Sequence, residues 1–354
     1  GLAYQIKGKR RLARRHADLA IRYEPRLALS YRILAETYAE DENRAASLIY
    51  FKRYLDRNPN DLVTAYAFSL KLLEEKEWEQ LFEVTSRLDD TLALPLLATS
   101  LIHKGEHEGA QAAFQDYIAT LEPEEGALYE DISFVGLKRD IKASRTVQES
   151  SREAFLNSFW MRRDPFKTSG GAMRRAEHYR RVWHARQEFG KKKFPWDRRG
   201  EIYIRYGEPF YKSTSKNLNA IVPAEAQQVQ DVMAARLYGS RSIDHNFVGP
   251  VYPIRHQSDA GLSLSTPNVD SGELLGLQGW KPVTSGSDWS TVPWESWIYK
   301  DIGNGIEISF TDEFLSGSYD FAPIPTLSED DFNRLERSEG SPLSFISRIT
   351  ELAP

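Results

Sequence analysis

The sequence predicts an α-solenoid of paired helices, followed by an α+β domain with a small antiparallel sheet and a long loop-rich insertion. Three observations carry this. Pro25 and Pro59 each close a helical stretch and stand 34 residues apart, the period of a two-helix repeat. Short strand-like segments appear only later, at Glu201–Tyr206, Trp294–Tyr299, Gly305–Phe310 and Ser318–Phe321. Between the first two, residues 210–290 are rich in Gly, Ser, Pro and Asn. A stretch that long is functional or loosely structured inside a compact domain.

The repeats occupy residues 1–125 and have the tetratricopeptide form. Residues 1–25 read as the second helix of a truncated first repeat, with Ala13, Ala17 and Ala20 at small-residue positions. Residues 28–61 form the clearest repeat. Tyr31, Leu34, Ala35 and Tyr38 mark its first helix, and Ser47 and Phe51 its second. Residues 62–90 continue it with Phe68, Leu72, Trp78 and Leu81 as apolar anchors. Residues 91–123 close it, with Gly105 at the turn and Pro123 as the stop. A helix pair of this kind cannot bury its apolar face alone, so it stacks on its neighbours and leaves a concave surface. Tyr31, Arg32, Tyr38 and Tyr66 are the residues expected to face a protein partner in that groove. An irregular helical bundle would give the same helices without the matched small and large positions.

The α+β domain is expected over 126–325. A connector at 126–139 leads to a helix from Ser150 to Trp160, broken at Asp164-Pro165 because the residue before proline resists the helical region. Gly170 and Gly171 make a loop. Ala172 to Phe189 is a strong helix, and Glu201 to Tyr206 alternates as a strand would, with Ile202 and Ile204 on one side. Pro223 opens a helix that runs to Tyr238. Helices at Ser328–Arg337 and Leu343–Leu352 would form a C-terminal tail over 326–354.

Composition sets outer bounds. The 354 residues are 41% hydrophobic and 27% charged, with a net charge of −5, which describes a globular chain of two or three domains. There is no cysteine, which excludes disulfides and thiolate metal sites without fixing the compartment. No apolar run approaches the roughly 20 residues of a membrane span. The chain opens inside a repeat, so its native N-terminus is expected upstream and the lack of a visible leader is uninformative.

From Phe159-Trp160-Met161-Arg162-Arg163-Asp164-Pro165 onward the sequence resembles the GWxTD-domain family of bacteria. Tyr179-Arg180-Arg181-Val182 follows, then Arg199-Gly200, Ile202-Tyr203-Ile204-Arg205-Tyr206-Gly207-Glu208-Pro209, and much later Glu295-Ser296-Trp297-Ile298-Tyr299. These motifs stand in the family's order over residues 150–325. The naming motif has changed: Pro195-Trp196-Asp197-Arg198-Arg199-Gly200 keeps the Trp and the Arg-Gly only. The resemblance implies an α+β domain without an established activity, often exported and sometimes placed behind helical repeats. It therefore implies a periplasmic or cell-surface location, with the cytoplasm as the alternative.

The search for chemistry is mostly negative. His103 and His107 are four apart, but Gly105 between them breaks the shared helix face a metal pair needs. Ser240, Ser242, Asp244 and His245 have the residue types of a triad in a local arrangement triads rarely use. Asp164 and Glu208 would serve as acid and base in an envelope glycan-acting hydrolase or transferase. The favoured reading makes Arg163, Asp164, Arg199 and Glu208 members of a structural turn and ion-pair lattice. From 162 to 199 there are thirteen lysines and arginines against four acids. Arg174, Arg175, Arg181, Lys191, Lys192 and Lys193 on and after helix 172–193 are the anionic-partner candidates. A protein or intramolecular partner is preferred there over nucleic acid or a membrane-peripheral contact. Trp280 and Trp289 in the insertion are further protein-binding candidates. The expectation is a non-catalytic scaffold, a subunit of a multi-protein complex, without a metal or other cofactor.

Overall fold

The computed structural model describes residues 1–165, 170–191, 194–217, 221–238, 249–251 and 292–322. Trp280, Trp289, Lys192, Lys193, the Ser240–His245 cluster and the two expected C-terminal helices lie outside these residues. Helix takes up 62% of what is described, in 14 α-helices, so the sheet is a minor, local element. The chain divides into two compact units, residues 1–130 with 148–180, and residues 131–147 with 181–354. Among the described residues, no helix is long and apolar enough to cross a membrane.

The first unit contains α1 (Leu2–Ile6), α2 (Arg10–Tyr23), α3 (Ala28–Glu40), α4 (Arg44–Leu55), α5 (Leu62–Glu74), α6 (Trp78–Thr85), α7 (Leu94–Lys104), α8 (His107–Ile118), α9 (Pro123–Glu130), α11 (Glu149–Met161) and the start of α12 (Ala172–Phe189). From α2 to α8 each helix packs on the next in chain order. The reason is local. Small residues let the helices approach: Ala13 and Ala17 of α2 are buried with Ile33 and Leu34 of α3. Polar residues at the turns absorb the free helix ends. The Asn43 and Asp61 side chains accept the backbone N–H groups of Ala46 and Thr64 at the starts of α4 and α5. Gly105, at a φ of 81°, closes α7 in the left-handed conformation that glycine adopts freely.

The second unit holds α10 (Lys138–Thr146), the end of α12, α13 (Arg198–Tyr206), α14 (Ala224–Tyr238) and four strands. These are β1 (Tyr211–Thr214), β2 (Trp294–Tyr299), β3 (Ile306–Thr311) and β4 (Asp320–Phe321), an antiparallel sheet in the order β1-β2-β3-β4. Trp297 pairs with Lys212 on one side and Ile308 on the other. Period-two alternation then sorts the faces. Ile298 packs with Ala226 and Val229 of α14. On the opposite face, the Trp297 ring lies 5.6 Å from Phe189 and 5.1 Å from Phe310, and Tyr299 lies 5.5 Å from Tyr206.

One element differs in kind from the sequence-based expectation. Glu201–Tyr206 is helical, part of α13, not a strand. The helix ends explain the change, and burial does not: Ile202, Tyr203 and Ile204 are buried in a row, but so are all six residues of β2. The Asp197 carboxylate accepts the Arg199 N–H at 3.0 Å and starts the helix. β1 also falls where only loop was expected, since a strand of four residues carries almost no periodic signal.

Gly207 ends α13 at a φ of 82° and ψ of −156°, a region in effect reserved for glycine. A Cβ there would sit 2.9 Å from the Arg181 guanidinium. That guanidinium donates to the carbonyls of Ile204 and Arg205 at 3.3 and 3.0 Å, so it caps the helix. The Gly207→Ala variant is expected to lose about 2–3 kcal/mol. Urea unfolding of the purified chain checks this, and a midpoint equal to wild type would refute it.

Candidate functional site

A dense polar cluster of the second unit is built on Asp197, Arg199, Glu295 and Trp297. The N-terminus of α13 positions the first two, and β2 the others. Arg199 makes a forked contact with Asp197, Nη2 to Oδ2 at 2.7 Å and Nε to Oδ1 at 3.2 Å. Its Nη1 donates to Glu295 Oε1 at 2.7 Å. The second Glu295 oxygen accepts the Trp297 indole N–H at 3.1 Å and faces Lys212 Nζ at 2.8 Å. The Tyr319 backbone N–H reaches Asp197 Oδ2 at 3.0 Å. The guanidinium carbon lies 3.9 Å from the Tyr319 ring centre and 5.0 Å from that of Phe189.

Two carboxylates thus meet two cations, and the charges balance. Burial works against the Arg199 charge. The hydrogen bond to Asp197 and the field of Glu295 more than offset it and hold the guanidinium above its ordinary pKa. The Tyr319 hydroxyl is pushed up by burial and by the same Glu295. The cluster ties α13, β1, β2 and the residue before β4 together. Gly200 belongs to it sterically, because a Cβ at that position would lie 2.5 Å from Trp196 Cβ.

The first unit has its own cluster around Arg175, which is 2% exposed. Nη1 donates to Glu153 Oε1 at 2.6 Å and to Asn157 Oδ1 at 2.8 Å. Nη2 donates to Glu130 Oε1 at 3.1 Å, and Nε to the Tyr179 hydroxyl at 2.6 Å. That hydroxyl donates in turn to Glu130. Burial and the Glu130 charge push the Tyr179 hydroxyl well above its usual range. The Arg175 hydrogen bond holds the Glu153 carboxyl below its own.

These geometries revise several expectations. Arg175 is not a surface cation for an anionic partner; Glu130 and Glu153 take up its charge. Arg181 caps α13, and Lys191 donates to the Gly317 carbonyl. Arg174 is exposed and donates to the Arg163 carbonyl. Arg199 pairs with Asp197 and Glu295. Arg163 donates to the Phe159 carbonyl and stacks 3.7 Å from that ring centre. Asp164 is buried, whereas Glu208 is exposed.

Of the expected groove residues, Tyr31 is 4% exposed and hydrogen-bonds the Pro25 carbonyl, so its ring is core and not contact surface. Arg32 lies 3.4 Å from Glu36 and 3.8 Å from Asp61. Tyr38 stacks on Tyr50 under the Arg14 guanidinium. Tyr66 is half-buried, and burial raises its hydroxyl pKa. His103 and His107 fall on separate helices, and His103 stacks on Trp78. Among the described residues, no group of three or more His, Asp or Glu is placed to hold a metal ion.

Sequence reasoning missed a polar face on the sheet. Glu307 is 3% exposed and accepts from Ser296 Oγ at 2.7 Å, Gln230 Nε2 at 3.0 Å and the Val251 N–H at 2.9 Å. Register places Ser213, Ser296 and Ser309 in one row beside it, and Trp294 opposite Thr311. Among the described residues, the buried Ser213, Ser309 and Thr311 hydroxyls and the Trp294 indole N–H meet no hydrogen-bond partner. The alternation of Glu307 and Ser309 with isoleucines is the signal from which this face is legible. A buried hydroxyl with no partner carries a desolvation cost of about 1–3 kcal/mol. Thr311→Val combined with Ser309→Ala is therefore expected to leave stability unchanged or raise it by about 1 kcal/mol. A loss of similar size in urea unfolding would show that the hydroxyls are engaged.

Comparison with family models, curated proteins and solved structures finds no match for this chain. The functional reading rests on its own residues.

Proposed function

We propose that the chain is a non-catalytic interaction protein that bridges subunits of a larger cell-envelope assembly. In this reading the first unit is a tetratricopeptide-like α-solenoid that offers a docking surface. The second unit is a GWxTD-like α+β domain that offers another. The observation that carries it is the packing of α2 to α8, each on the next in chain order, at the 34-residue spacing of Pro25 and Pro59. The polar chemistry of the second unit supports it as well. Asp197 and Glu295 are matched by Arg199 and Lys212, an arrangement that holds elements in place.

The test is cross-linking in native extract of the source organism, followed by size-exclusion chromatography. The expected result is that the chain elutes in a discrete species larger than itself, with the same partners in repeat preparations. Elution as a monomer from cross-linked extract would overturn the reading.

A further inference from the structure

The loop that joins β3 to β4 carries an exposed apolar tip. Phe314 is 91% exposed and Leu315 is 73% exposed. They are adjacent, and no charged residue stands from 314 to 319. Leu315 has a φ of 51°, in the left-handed region that turns usually give to glycine or asparagine. The loop is nevertheless pinned. The buried Asp312 carboxylate accepts the backbone N–H groups of Ser316 and Gly317 at 2.9 and 2.7 Å. The Asp312 carbonyl accepts that of Leu315 at 3.3 Å, and Ser316 Oγ accepts that of Ser318 at 3.2 Å. Four consecutive N–H groups, Leu315 to Ser318, therefore find acceptors inside the loop. At its base, Lys191 Nζ donates to the Gly317 carbonyl. Lys192 and Lys193 follow in the sequence and lie outside the described residues.

We propose that this loop is a membrane contact: Phe314 and Leu315 enter the boundary between headgroups and acyl chains of an anionic bilayer, with the Lys191 ammonium at the lipid phosphates. The inference goes beyond the interaction reading and does not depend on it. Shape argues for a bilayer. Two side chains so exposed at a hairpin tip need a medium that closes around them, and acyl chains do this without a matching pocket. The backbone argues the same way. An apolar medium offers no hydrogen bonds, so a loop enters it at low cost only with its N–H groups already paired, as those of Leu315 to Ser318 are. Charge supplies the polarity. An uncharged tip above an ammonium follows the order of acyl chain and phosphate across the interface. That ammonium has three donors, so two remain after the Gly317 carbonyl is served. Glu313, the acid beside the tip, is half-buried. The pinned backbone also has little order left to lose on insertion.

The test begins with co-sedimentation of the full chain with vesicles. Phosphatidylcholine vesicles with 30% phosphatidylserine are expected to bind it saturably, and pure phosphatidylcholine at least fivefold more weakly. Phe314→Ser with Leu315→Asn should cost at least tenfold at an unchanged urea midpoint, because both positions are exposed and asparagine tolerates the left-handed backbone. Lys191→Gln with Lys192→Gln and Lys193→Gln should cost at least threefold on the anionic vesicles alone. The chain has no cysteine, so a single introduced thiol takes an environment-sensitive NBD dye. On vesicles, NBD on Phe314→Cys should brighten and shift to the blue; NBD on Ser151→Cys, an exposed position of α11, should not. This pair decides even if the tip variant loses stability. No sedimentation at 1 mM lipid, a tip or lysine variant that binds like wild type, or equal NBD responses at the two positions would overturn the proposal. So would an NBD signal at 314 that is already apolar without lipid, since this chain or a second copy would then cover the tip. If wild type ignores vesicles and the tip variant loses the native cross-linked species, the tip belongs to a protein interface and the proposal fails likewise. A chain that binds vesicles through the tip yet elutes alone from native extract would keep this inference and remove the interaction reading.

Discussion

Replacing Arg199 with leucine is expected to destabilise the second unit by about 3–5 kcal/mol, the usual cost of breaking a buried ion cluster from one side. The size follows from what remains. The Asp197 side chain is 1% exposed and that of Glu295 is 10% exposed, so neither carboxylate can rehydrate without moving the backbone. Asp197 would keep the Tyr319 N–H and Glu295 would keep Lys212, which sets the lower end of the range. Arg199→Lys should recover only part of the loss, because an ammonium cannot make the fork to Asp197 and reach Glu295 together. The decisive comparison adds Asp197→Asn and Glu295→Gln to Arg199→Leu. If the cost is uncompensated charge, the triple variant recovers half or more of the lost stability. Urea unfolding followed by tryptophan fluorescence reads all of these, and an Arg199→Leu loss under 1 kcal/mol would show that the cluster does not hold the unit together.

That cluster also shows where sequence reading succeeds and stops. Local periodicity places α12 at Ala172–Phe189 and β2 at Trp294–Tyr299, because each pattern lies within the segment it describes. Six residues such as Glu201–Tyr206 satisfy strand alternation and one helix face equally well, and the Asp197 cap that starts the helix separates the two. Side-chain partners across long separations leave no local trace. Arg199 meets Glu295 across 96 residues, and Arg175 meets Glu130 across 45. In the sequence Arg175 is one cation in a basic run and reads as surface. Its burial depends on three acceptors contributed by α9 and α11. Tyr31 fails for a related reason. An aromatic residue at an expected repeat position fits either a groove or a hairpin core, and the hydroxyl's reach to the Pro25 carbonyl decides for the core.

Arg175→Met is the corresponding experiment in the first unit, with a different pH signature. The methionine fills much of the arginine's volume, so the loss measures the polar network and not a cavity. The expected cost near neutral pH is about 2–4 kcal/mol, less than for Arg199, because the Glu153 side chain is 61% exposed and hydrates when released. Glu153 supplies the pH dependence. The Arg175 hydrogen bond holds its folded-state pKa below the ordinary 4.5. Its stabilising contribution is therefore complete above about pH 4.5 and is lost as pH falls through the lower folded value. Arg175→Met removes the cause of that depression. The stability gap between wild type and variant should then be widest from neutral pH down to about pH 5 and should narrow below about pH 4. Urea unfolding across that range measures it. A gap that stays constant to pH 3 would mean that Glu153 draws no net stabilisation from the guanidinium, and that the pair is held in place by the packing of Tyr179 and its neighbours.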